Sequence, residues 1–154
     1  MELKTDFGVY ANFISPLCEL VKQSNGDNSR KISEYKSEEI YQGILYVDFN
    51  DRKQLEKEIS ELKFTSWHPQ AVDLIPPNSG KTLGIEKFIE KENIDVQETM
   101  AFGDGENDID MLQYVGLGIA MGNSDKRVKK CADYITDSCE NDGIYKALKH
   151  IELI

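Results

Sequence analysis

Histidine is nearly missing from this chain: His68 and His150 are the only two in 154 residues. That excludes a histidine-rich metal centre and argues against a Ser-His-Asp relay. Cysteine is scarce as well. Cys18, Cys131 and Cys139 are odd in number and lack the paired spacing of a zinc site. They read as reduced thiols, and the protein as cytoplasmic. No apolar run approaches the roughly 20 residues of a membrane-spanning helix. The opening MELKTDFGVYANF has no charged segment followed by a long apolar block, so no secretory signal is expected. Positive charge is also short. Lys and Arg number 18 against 28 Asp and Glu, for a net charge of -10. The basic residues are scattered, so neither nucleic acid nor an anionic membrane is expected as a partner. What is present is 40% apolar residues, enough for a real hydrophobic core. The acidic excess suits a soluble protein that holds a cation.

Periodicity divides the chain. Residues 6–23 read as a helix, with Phe7, Tyr10, Phe13, Ile14, Leu17 and Leu20 at helical spacing and Pro16 as a kink or break. SNGDNS, 24–29, reads as a turn. GILYVDF, 43–49, reads as a strand, 51–63 as an amphipathic helix, and FTSW and AVDLI as short strands. Pro76-Pro77-Asn78-Ser79-Gly80 interrupts everything, and a boundary is expected at about 70 to 80. Beyond it, helices are expected over 81–92, 107–114, 124–131 and 143–150. Strands are expected over 98–102, 116–121 and 133–136. Short alternating strands and helices predict a parallel α/β sheet.

One string stands out within that alternation: AFGDGENDIDML, 101–112. Asp104 follows a strand end, where ligands of open α/β sheets bind. Gly103 and Gly105 would let a ligand approach the backbone. Asp108 falls in the first turn of the next helix. Two carboxylates so placed suit Mg²⁺, which takes few protein carboxylates and keeps water or phosphate oxygens. The plainer alternative is a turn aspartate and a helix-dipole aspartate. The complete string GDGEND favours a site. An EF-hand is excluded, because Ile109 stands where its loop needs glycine.

Other strings are weaker. Gly80-Lys81-Thr82 resembles the end of a phosphate-binding P-loop, but Ile75 replaces the first glycine and two prolines remove the backbone donors such a loop needs. Lys81 at a helix start retains interest as a cation for a phosphate or for crowded carboxylates. Asp48 in VDFND sits where a nucleophilic aspartate could sit, but a helix cap at Asn50 or Asp51 is the better reading. Asn123 either donates to a phosphate, orders the acidic cluster or caps a helix with Ser124. Asn107 is a similar candidate.

Taken together, Lys81, AFGDGENDIDML, GLGIAMGNS, CADYIT and the END-GI before the last helix resemble the haloacid dehalogenase-like hydrolases. The closer likeness is to the Cof-type Mg²⁺-dependent phosphatases with a type IIB cap. It is specific over about 69–149 and looser over 37–68. It implies an α/β chain in two parts: residues 1–70 as a remnant of an α/β cap domain, and 71–154 as the C-terminal half of a Rossmann-like core. In that family an aspartate attacks the phosphoryl group. By resemblance, Asp104 and Asp108 are the metal residues, Lys81 the catalytic lysine, and Asn107 and Asn123 neighbours of phosphate or substrate. The implied function is Mg²⁺-dependent hydrolysis of small phosphorylated metabolites such as sugar phosphates.

The family's Asp-x-Asp-Gly-Thr motif is absent. Asp48-Phe49-Asn50-Asp51 lacks both the second Asp and the Gly. The chain therefore resembles the C-terminal portion of a phosphatase without its nucleophile: a truncated product, a shortened form or one piece of a split protein. Alone it is expected to be inactive, and to self-associate or to need an N-terminal half. The alternative is a non-catalytic module that binds a partner or phosphorylated ligand.

Overall fold

The computed structural model describes residues 1–5, 8–11, 15–24, 35, 37 and 39–154. Its contacts divide the chain into two units, Met1–Asn78 and Ser79–Ile154. Residues 71–78, expected to belong with the second part, lie in the first. The change falls after Pro76 and Pro77, whose missing donors and fixed φ end strand pairing.

The first unit holds β1 (Glu2–Thr5), β2 (Gly8–Ala11), α1 (Pro16–Ser24), β3 (Gln42–Tyr46), α2 (Phe49–Glu58), β4 (Lys63–His68) and β5 (Ala71–Ile75). Its sheet runs β2-β1-β3-β5-β4, and every pairing in it is antiparallel. The expected helix over 6–23 is corrected here. Gly8 takes φ 143°, which no helix accommodates, and residues 8–11 pair with β1. The helix starts only at Pro16, a residue suited to a first turn, where the Ser15 hydroxyl accepts the Cys18 N–H at 3.1 Å. Leu20, assigned to the apolar face, is exposed; Cys18 and Val21 are the buried ones. Phe7, Phe13, Ile14 and the turn over 25–29 lie outside the described residues. The cap before α2 is real but belongs to Asp48, whose carboxylate accepts the N–H groups of Asn50 and Asp51.

The second unit reads as expected for parallel α/β. It holds α3 (Lys81–Glu92), β6 (Met100–Gly103), α4 (Ile109–Tyr114), β7 (Leu117–Ala120), α5 (Lys126–Lys129), β8 (Tyr134–Ile135) and α6 (Gly143–His150). Single 3-10 turns cover Val96–Glu98, Glu106–Asp108 and Cys139–Asn141. The sheet order is β6-β7-β8, all parallel. Leu112, Ala120 and Val128 form a buried core cluster. Gly118 lies so close to α4 that an added Cβ would run into the Leu112 carbonyl. Because the strands are parallel, the loops that leave Gly103, Ala120 and Ile135 emerge at one end of the sheet. That edge gathers segments 104–108, 121–125 and 136–142.

Candidate active site

Asp108 is the anchor. It is 4% exposed. Burying a carboxylate is costly unless hydrogen bonds replace its water. Here they do: Oδ2 accepts the Asp104 N–H at 2.9 Å and the Gly105 N–H at 3.0 Å, and Oδ1 pairs with the Lys81 ammonium. The two backbone donors belong to the loop that leaves β6, so Asp108 ties this loop to the start of α4. Gly103 is needed for the same reason. A Cβ there would lie 2.6 Å from the Asp108 Cβ. The absent side chain makes room for Asp108.

Lys81 reaches this pair from the first residue of α3. Gly80 precedes it at φ 129° and offers no side-chain cap. The neighbouring Thr82 hydroxyl is buried with no partner among the described residues. Positive charge and unmatched donors thus meet at one helix start, an arrangement that attracts anions.

Asp104 is the opposite of Asp108. It is exposed, and among the described residues its carboxylate accepts one bond, to Oδ2 from Asn123 Nδ2 at 3.0 Å. Asn123 Oδ1 in turn accepts the Cys139 N–H at 3.3 Å. Glu140 is held below the ordinary carboxylate range by its own backbone N–H first, then by the Ser138 hydroxyl and Cys139. Asn107 stands against Gly105, where an added Cβ would meet its Oδ1. It makes no side-chain bond to Asp104 or Asp108 among the described residues. The helix cap considered for Asn123 or Ser124 belongs to Asp125, whose carboxylate accepts the N–H groups of Arg127 and Val128.

The fold therefore brings Lys81, Asp104, Asp108 and Asn123 into one connected network, with Asn107 beside it. Cys139 is the member that sequence reading missed. It contributes only a backbone N–H, which carries no residue-type signal. Among the described residues no three His, Cys, Asp or Glu side chains form a ready metal cage. The donor set fits a hard cation that brings its own oxygens: one exposed carboxylate, beside a second whose three donors are protein groups.

A family model described as haloacid dehalogenase-like hydrolase matches residues 16–148. YkrA of Bacillus subtilis (strain 168) is 38% identical over 120 residues, covering 78% of this chain and 46% of YkrA. Among solved structures, BT1666 of Bacteroides thetaiotaomicron, a phosphatase of the same superfamily, is 33% identical. Its TM-score is 0.85, over 99% of this chain and 59% of BT1666. The subclass IIB sugar phosphatase BT4131 is 29% identical with a TM-score of 0.86, over 99% of this chain and 60% of its own. The chain thus spans about half the length of YkrA.

Proposed function

The chain belongs to the haloacid dehalogenase-like hydrolase family, and on that premise we propose that its second unit is the cation- and phosphate-handling half of a Mg²⁺-dependent phosphomonoester hydrolase. The observation that carries this is the contrast between the two carboxylates. Asp108 is buried and spends its oxygens on Lys81 and two backbone donors. Asp104 stands in solvent with one oxygen engaged. Asp104 would hold Mg²⁺, and Asp108 would shape the loop that presents it. Lys81 would offset negative charge on a phosphoryl group. Bound Mg²⁺ would neutralise phosphoryl oxygens and orient the ester.

The first unit is proposed as part of a cap. The substrates are proposed to be small phosphomonoesters, including sugar phosphates, as BT4131 is named for. The attacking aspartate has no counterpart of the Asp-x-Asp-Gly-Thr type in residues 1–154. Asp48 is committed to capping α2. In this reading the nucleophile is supplied by sequence outside these residues, and the chain alone turns over little or nothing. The missing nucleophile also favours a second reading, a module that binds phosphorylated ligands without hydrolysing them.

The test is hydrolysis of p-nitrophenyl phosphate with and without Mg²⁺, beside Mg²⁺ and inorganic phosphate binding, for the chain and for Asp104→Asn. Binding that Asp104→Asn removes, without turnover, is the expected result. Turnover lost in Asp104→Asn would mean that a residue of this chain acts as nucleophile, with Asp48 the next variant. Absence of any Asp104-dependent binding would overturn the proposal.

A further inference from the structure

We infer that Asn123 is the positioning residue of the Asp104 carboxylate, selecting which of its two oxygens faces an incoming cation; this rests on the reading of Asp104 as the cation ligand. A side-chain amide seen alone has two orientations that differ only in which end is oxygen. Here the choice is forced. The Cys139 N–H can only donate, so the amide end facing it at 3.3 Å is Oδ1. The other end, facing Asp104 Oδ2 at 3.0 Å, is then the NH₂ donor. Asp104 Oδ2 is engaged, and Oδ1, which has no partner among the described residues, is left for a cation.

Asp104 and Asn123 are both exposed, and exposed side chains ordinarily sample several rotamers. The backbone beneath them supplies the rigidity. Met121 N–H donates to the Gly103 carbonyl at 2.9 Å, joining the ends of β7 and β6, and Gly122 N–H donates to the Asp137 carbonyl at 3.0 Å. Gly122 packs so tightly on segment 136–138 that a Cβ would lie 2.6 Å from the Ser138 nitrogen. The Thr136 hydroxyl donates to the Gly143 carbonyl at 2.6 Å and closes that segment on the start of α6. Three loops from three strand ends therefore fix both anchors of one amide. Of the roles that the sequence leaves open for Asn123, this bridge is the ordering of the acidic cluster; it uses the acceptor of Asn123 and one of its two amide protons.

The test uses Mn²⁺, followed by the electron paramagnetic resonance of the free ion, with ¹⁵N–¹H spectra of the whole chain. Asn123→Ala is expected to weaken Mn²⁺ binding about tenfold, the usual size for loss of a group that orients a ligand. Its melting temperature should not change, because the side chain is exposed. In the Asp104→Asn background the same change should cost nothing further. The Cys139 amide resonance should move in Asn123→Ala, and the Asn123 NH₂ resonance should move in Asp104→Asn. If Asp104→Asn removes binding while Asn123→Ala stays within twofold of wild type, the positioning role is refuted and the Asp104 reading stands. If Asp104→Asn leaves binding intact, or the chain binds no Mn²⁺, the Asp104 reading fails and this inference falls with it.

Discussion

Removing the Asp108 carboxylate in two ways separates its two jobs. In Asp108→Asn, an amide oxygen can still accept the N–H groups of Asp104 and Gly105, now at 2.9 and 3.0 Å. The amide NH₂ then faces the Lys81 ammonium, donor against donor, and the ion pair is lost. Lys81 is 51% exposed and can turn to water, so the loss is about 1–2 kcal/mol rather than the larger cost of a charge stranded in the interior. Asp108→Ala removes all three acceptances and leaves two backbone donors unmatched, for about 3–4 kcal/mol. In a unit of this size each kcal/mol moves the melting temperature by about 4–8 °C. The local readout is hydrogen exchange at the Asp104 and Gly105 amides: nearly unchanged in Asp108→Asn, much faster in Asp108→Ala. Equal losses in the two variants, or unchanged protection of both amides in Asp108→Ala, would refute the account of Asp108 as the anchor of its loop.

Two glycine substitutions should move in opposite directions in urea unfolding. Gly118→Ala forces a Cβ into the Leu112 carbonyl and is expected to cost more than about 2 kcal/mol. Gly84→Ala, inside α3 with nothing within 4 Å of an added Cβ, is expected to gain about 0.5–1 kcal/mol. Asp48→Ala should lose the cap of α2 and about 1 kcal/mol, read as faster amide exchange at Asn50 and Asp51. Self-association is expected through the outer edge of β6, which has no strand neighbour among the described residues. Beside β6 lies an apolar groove of about 510 Å³ that includes Ile85, Phe88, Ile94, Met100 and Val115. Sedimentation should show concentration-dependent oligomers that Phe88→Glu dissolves, and a monodisperse monomer at all concentrations would count against it.

How legible the fold was from sequence varies along the chain for physical reasons. In the second unit, apolar periodicity and the chain breakers agree. Helix α3 runs between Gly80 and a left-handed Asn93, and α6 spans the range its pattern gives. At the N-terminus they disagree. Tyr10, Leu17 and Leu20 fit a helical wheel, yet Gly8 and Pro16 punctuate the segment into a strand and a later helix. The helix expected over 51–63 runs Phe49–Glu58 instead: it starts earlier because its cap is Asp48, and it ends at the Ile59 cap, before β4 begins at Lys63. In the site, the carboxylates were visible as a string, but their division of labour was not. Nothing in GDGEND says which aspartate will be buried. That is decided by how Gly103 leaves space and where Lys81 reaches, both tertiary facts. That Asn123 could order the acidic cluster is legible, but the far end of its bridge is not, because it is the main-chain N–H of Cys139.

The way Asp108 is satisfied has a consequence for how the site meets a cation. Many small metal sites are unfolded until the ion arrives, so that binding and folding are one event. Here the loop's shape is already set by an internal lysine and two main-chain donors. A cation at Asp104 would find the backbone of its loop preorganised, so that less ordering entropy would be lost on arrival. Chelation would empty such a site without loosening the loop, and exchange of the ion would be governed by its own waters rather than by motion of the chain.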